Sequence, residues 1–119
     1  MKQGLYIHTY GDVEKSDNQD WRDNVNGTFL VGEIRMPYSV LVETFGRQNA
    51  QNDGYKTDVE WEIMTPAGIA TIYNYKTGKN YNGKDGTAIV DITDWHIGGV
   101  SDAVIPFVLM AIYKKQAGL

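Results

Sequence analysis

The stretch Thr57 to Met64 alternates strictly, with Val59, Trp61 and Ile63 on one side and Asp58, Glu60 and Glu62 on the other. A period of two with this division is a β-strand that buries one side and wets the other. Thr65-Pro66-Ala67-Gly68 then supplies a turn. Ile69 to Lys76 resumes the alternation, with Ile69, Thr71, Tyr73 and Tyr75 opposed to Ala70, Ile72 and Asn74. Two such runs joined by a Pro and Gly turn pair as a hairpin. The pairing sets Glu60 and Glu62 across from one row of the return strand, so the sheet that grows from it is antiparallel.

Leu5 to Tyr10 and Thr28 to Met36 also alternate, and Pro37 ends the second of these strands. Thr87 to Val90 reads as β, Asp91 to Ile97 as an extended or bent stretch, and Gly98-Gly99 as a chain break. Between the strands, Ser39 is an expected N-cap. Val40, Leu41, Thr44 and Phe45 follow at helical spacing, and Gly46 stands where a left-handed C-terminal cap belongs. Ser101 or Asp102 caps a last helix whose Val104, Ile105, Phe107, Val108, Leu109, Ala111 and Ile112 are apolar nearly all round. Pro106 fits only its first turn, and Lys114 and Lys115 suit its C-terminal dipole. The expected fold is α+β: an antiparallel sheet of about five to six strands, with a short central helix and a buried C-terminal helix on one face. Residues 11–27 form a long surface loop, and Arg47 to Gly54 a polar turn.

A length of 119 residues predicts a single domain, 1–119, able to bury a core without staples. There is no Cys, so neither a disulfide nor a thiolate metal site can form, which fits a reducing compartment. No apolar run approaches the length of a bilayer span, and the opening Met-Lys-Gln-Gly-Leu-Tyr-Ile-His is too short in apolar residues for a secretory signal. We therefore expect a cytoplasmic protein with no membrane association. The net charge of -4 opposes attraction to duplex DNA, where cations supply most of the affinity.

No catalytic signature emerges. There is no Gly-x-Ser-x-Gly elbow, and Thr77-Gly78-Lys79 lacks the glycine spacing and helix of a phosphate loop. Asp12, Glu14, Asp17, Asp20 and Asp23 around Trp21 miss the spacing of a calcium loop. Two histidines, His8 and His96, would have to converge from opposite ends of the chain to share a metal, so neither metal nor cofactor is expected. Asp94 or Glu60 beside His96 could serve a small hydrolase or lyase as an acid–base pair. The segment Tyr73 to Lys84 instead favours recognition. Lys76, Lys79 and Lys84 cluster among Tyr73, Tyr75 and Tyr81, and cations beside aromatic faces suit a nucleotide or a protein surface. The expected contact residues are Tyr73, Tyr75, Lys76, Lys79 and Tyr81 of a hairpin, together with Trp95 and His96.

The residues Tyr38-Ser39 to Phe45-Gly46, Gly54-Tyr55-Lys56-Thr57-Asp58, Ala70-Thr71-Ile72-Tyr73-Asn74-Tyr75-Lys76 and Ile92-Thr93-Asp94-Trp95-His96-Ile97-Gly98-Gly99 resemble a group of small proteins found largely in bacteriophage genomes. The resemblance spans roughly Tyr38 to the C-terminus and carries no functional residues with it. It implies an accessory factor that binds and disables a host component, such as a CRISPR effector, or that sequesters an immune signalling nucleotide. A virion or assembly component, and a homo-oligomer, are further expectations.

Overall fold

The computed structural model describes residues 8–9, 27–48 and 54–118. Its strands are β1 (His8–Thr9), β2 (Phe29–Arg35), β3 (Glu60–Thr65), β4 (Gly68–Tyr73) and β5 (Asp94–Gly99). Helix α1 (Tyr38–Phe45) lies between β2 and β3, α2 (Lys79–Asn82) between β4 and β5, and α3 (Ile105–Gln116) follows β5. The sheet runs β1-β3-β4-β5-β2 with every neighbouring pair antiparallel. The α+β class and the C-terminal helix stand as expected. The strand count is lower: four strands are of full length, and β1 adds a two-residue edge pairing. Of the expected strand Leu5 to Tyr10, only His8–Thr9 lies within the described residues. The long loop falls outside them except at Gly27, and so do positions 49–53 of the polar turn.

The hairpin forms in the register the alternation demands, with Glu60 opposite Tyr73, Trp61 opposite Ile72 and Glu62 opposite Thr71. Trp61, Ile63, Ile72, Trp95 and Ile97 bury one face of the sheet against Leu41 and Phe45 of α1 and Val108, Ala111 and Ile112 of α3. Trp61 and Trp95 meet edge to face at 5.6 Å, and Tyr38 stacks on Trp95 at 6.3 Å. Both indoles are completely buried, and both find backbone acceptors at the ends of α1. Trp95 Nε1 donates to the Met36 carbonyl at 2.9 Å, and Trp61 Nε1 to the Gly46 carbonyl at 2.8 Å. The buried donors are thereby satisfied, and the helix is tied to the sheet at its two termini.

Several local expectations are overturned. Pro37, not Ser39, is the N-cap of α1, and no side chain caps it. The fixed φ of proline already suits a helix start, so the missing hydroxyl acceptor is tolerated. Gly46 does end the helix, at φ 83°. Thr87 to Val90 is not a strand: Thr87 makes a single parallel bridge to Gly78, and Ile89–Asp91 is a 3-10 turn. Gly98 and Gly99 do not break the chain but belong to β5, where their lack of a side chain lets neighbours close in. A Cβ on Gly98 would lie 2.5 Å from Thr71 Oγ1, and one on Gly99 2.7 Å from a methyl of Val104.

Glu62, expected on the wet side, is fully buried, and Ile69 and Thr71 beside it on β4 are buried as well. The second face of the sheet is thus covered at this end, and Glu62 occupies its interior position on β3. The C-terminal helix is likewise not apolar on every side in its surroundings. Ser101 caps the turn before it by accepting from Ala103 N, and Pro106 sits in its first turn. Val104, Val108, Ala111 and Ile112 then line one buried stripe, while Leu109, Met110 and Tyr113 are exposed.

Truncating Trp95 to Ala removes a buried ring and its hydrogen bond, and should cost ~3–5 kcal/mol in urea unfolding. Tyr113→Ala, on the exposed side of α3, should stay within about 0.5 kcal/mol of the parent.

Candidate functional site

The strands carry four side chains in one row across the face opposite the helices: Glu60 on β3, Tyr73 on β4, His96 on β5 and Glu33 on β2. Strand periodicity alone produces this row, because directly opposed residues share a face. His96 meets Tyr73 edge to face at 5.5 Å and stacks on Tyr75 at 5.3 Å. The ammonium of Lys76 lies 5.3 Å from the ring centres of both Tyr75 and Tyr81, and Tyr81 contacts Tyr55 at 5.2 Å. The result is a continuous ladder of rings and cations from Tyr73 through His96, Tyr75, Lys76 and Tyr81 to Tyr55. Tyr55, Tyr75, Lys76 and Tyr81 are exposed, while Tyr73 and His96 are half-buried.

Backbone and amide hydrogen bonds hold the ladder in place. Asn74 is completely buried, and its amide uses its full bonding capacity. Its Oδ1 accepts from Asp58 N at 2.7 Å and Val59 N at 3.1 Å, and its Nδ2 donates to Asp58 Oδ1 at 2.9 Å and Thr77 Oγ1 at 3.2 Å. Asp58 Oδ2 then accepts from Asn80 N, and Asn80 Nδ2 donates to the Thr57 carbonyl. Asn82 Nδ2 closes the loop on the carbonyls of Lys76 and Gly78. Lys76 itself is left-handed at φ 61°, and its N–H donates to the Lys56 carbonyl at 2.7 Å. A non-glycine residue at positive φ is strained, and this one places its side chain between two tyrosines.

The segment Tyr73 to Lys84 is therefore not the expected hairpin. It leaves β4, folds into α2 and the 3-10 turn Gly83–Asp85, and returns through the Gly78 to Thr87 bridge. The side-chain amides of Asn74, Asn80 and Asn82 are used in bonds to the Thr57 to Val59 segment and within the loop itself. Of the expected contact residues, Tyr73, Tyr75, Lys76, Tyr81 and His96 come together in the ladder. Lys79 opens α2 and is exposed, but enters no ring contact among the described residues. Trp95 is a correction: alternation along β5 turns it into the core while His96 faces the other way, so it offers no surface.

Asp94 does not pair with His96. It forms an ion pair with Arg35 at 3.0 Å, so the Asp94 and His96 acid–base unit is not assembled. His8 and His96 are separated by β3 and β4, and among the described residues no group of three potential metal ligands occurs. No described helix is long and apolar enough to cross a membrane.

Beside the ladder, Glu60, Thr57, Thr71, Tyr73, Tyr75 and Phe29 line an open cleft of about 280 Å³. Gly98 lies at the same cleft, where Thr71 Oγ1 closes onto the position that a Cβ would take. Burial, then the Glu60 carboxylate, then Tyr75 hold the Tyr73 phenol above its ordinary value of 10.0. Thr71 and Gly98 carry no chemical signature in a sequence; only the alternation that sets Tyr73 opposite Glu60 pointed toward this cleft. No protein family matches the chain, and no curated protein matches it either.

Asn74→Ala should lower stability by about 2–3 kcal/mol, since it strands buried donors and acceptors on both sides of the loop; chemical denaturation reads this directly. For Tyr73 the folded state favours the neutral phenol. Its contribution is present below the unfolded ionisation near 10.0 and is lost as pH rises through the higher folded value. Unfolding free energy should fall as pH rises from near 10.0 through that folded value and level off beyond it, and Glu60→Gln should make the fall smaller while tyrosinate absorbance shows Tyr73 ionising earlier.

Proposed function

We propose that this protein acts by binding rather than by catalysis, as a phage-type accessory factor that engages a host protein in the bacterial cytoplasm and disables it. The observation that carries the reading is the ladder: exposed tyrosines and a lysine held on a rigid, amide-braced frame. Tyrosines of this kind supply large amphipathic contact area with few torsions to freeze, which is what a protein interface uses for its anchors.

The ring faces favour a protein partner over a stacked nucleotide. One side of Tyr75 is taken by His96, and Lys76 lies over both Tyr75 and Tyr81. Base stacking needs an open face, whereas protein contact can use the exposed edges and hydroxyls. The hydrolase alternative loses Asp94 to Arg35, which leaves Glu33, directly opposite His96, and Glu60, beyond Tyr73, as the carboxylates on its row.

Tyr75→Ala and Tyr81→Ala should each weaken retention of the host partner by roughly 30-fold or more, about 2 kcal/mol, with an unchanged melting temperature. Undiminished retention in the double variant removes this face from consideration. Co-purification of a nucleotide in place of a protein would replace the host-protein reading with sequestration, and turnover abolished by His96→Asn would replace it with catalysis.

A further inference from the structure

We infer that the outer edge of β2 is a self-pairing surface, where a second copy of this chain adds its own β2 antiparallel across a two-fold axis at Ile34. The sheet order leaves β2 at one margin, and among the described residues no strand lies beyond it. Met36 N donates to the Thr93 carbonyl at 2.9 Å, in the same register that sets Ile34 opposite Trp95 and Arg35 opposite Asp94. Along an antiparallel strand, alternate residues direct both of their backbone groups to the same neighbour. Ile34 and Met36 therefore bond toward β5, while Glu33 and Arg35 turn N–H and C=O outward. Such a row is a template for another strand.

Charge selects the occupant and the register. Glu33 and Arg35 are both exposed and stand two positions apart, so they share the face that carries His96. An axis at Ile34 sets Glu33 opposite Arg35 of the second copy and, by symmetry, the reverse, which gives two opposite-charge pairs in a contact that closes on itself. An axis at Glu33 or at Arg35 would oppose like charges. One at Gly32 would draw in the irregularity between Leu30 and Gly32. Pro37, without an N–H, ends the seam. Arg35 meets Asp94 through Nε at 3.0 Å with its side chain 80% exposed, so its two terminal nitrogens can take the carboxylate across the seam. Half-buried Ile34 then faces its own counterpart at the close spacing of a non-hydrogen-bonded pair. The axis stands perpendicular to the joined sheet, which puts both ring ladders on one side and makes the binding face double.

The test is sedimentation equilibrium of the full chain from about 5 to 500 μM, paired with amide hydrogen exchange. A seam this short makes less contact than the roughly 20–30 residues a side of a standard interface, so a dimer dissociating at about 10–100 μM is expected. Exchange at the Glu33 and Arg35 amides should slow as concentration rises. Glu33→Arg and Arg35→Glu each place like charges across the seam and should weaken the dimer at least tenfold. An equimolar mixture of the two variants restores both opposite-charge pairs, and should associate at least tenfold more tightly than either variant alone. A chain that stays monomeric throughout, a dimer that leaves exchange at Glu33 and Arg35 unchanged, or a mixture no tighter than its components overturns the inference. The first two readings use the parent chain alone and do not depend on how the variants fold. No host protein enters the measurement, so its failure removes the dimer and leaves the binding reading standing.

Discussion

Two indole N–H groups organise this molecule. Trp95 and Trp61 project from β5 and β3 into the same core, touch each other, and donate to carbonyls at the two ends of α1. A helix of eight residues is too short to persist on its own, and here no side chain caps its start. Its stability comes from the sheet, through the burial of Leu41 and Phe45 and through these two bonds. Backbone pairing of β4 with β5 beside this core brings Tyr73 and His96 into register.

The face opposite the helices depends on that register. A slip of one residue between β4 and β5 would turn His96 toward the tryptophans and Trp95 toward solvent, a change that the core forbids. The glycines of β5 take part as well, since close approach of Thr71 to Gly98 and of Val104 to Gly99 fixes how tightly β5 lies among its neighbours. Charge, hydroxyl and aromatic groups then gather on this face beside a cleft, while the loop after β4 folds back under Asn74 and Asp58 to hold Lys76 and Tyr81 beside Tyr75.

Legibility in the sequence followed the strength of periodicity. Val59, Trp61 and Ile63 against Asp58, Glu60 and Glu62 announce β3 and its pairing, and the apolar run from Val104 to Ile112 announces α3 but not which of its sides is buried. Where periodicity was weak, local composition misled. Gly98-Gly99 looks like punctuation but is a place of close packing, and Thr87 to Val90 looks like a strand but is a bridge and a turn. The amides of Asn74, Asn80 and Asn82 tie the loop both to itself and to the Thr57 to Val59 segment, a role that composition does not reveal. Glu62 shows the limit of alternation itself: it tells which face a residue takes, not whether that face stays wet.

The sequence by itself determined the hairpin, the direction of its side chains, the helices before β3 and after β5 and the absence of thiol chemistry, because each follows from residue type and from neighbours a few positions apart. Only the tertiary structure decided that Trp95 is core and His96 surface partner to Tyr73 and Tyr75, that Asp94 belongs to Arg35, and that Glu60, Thr71 and Gly98 share a cleft. Those relations join residues far apart along the chain, and they come into being only when the strands find their order and the core closes over two tryptophans.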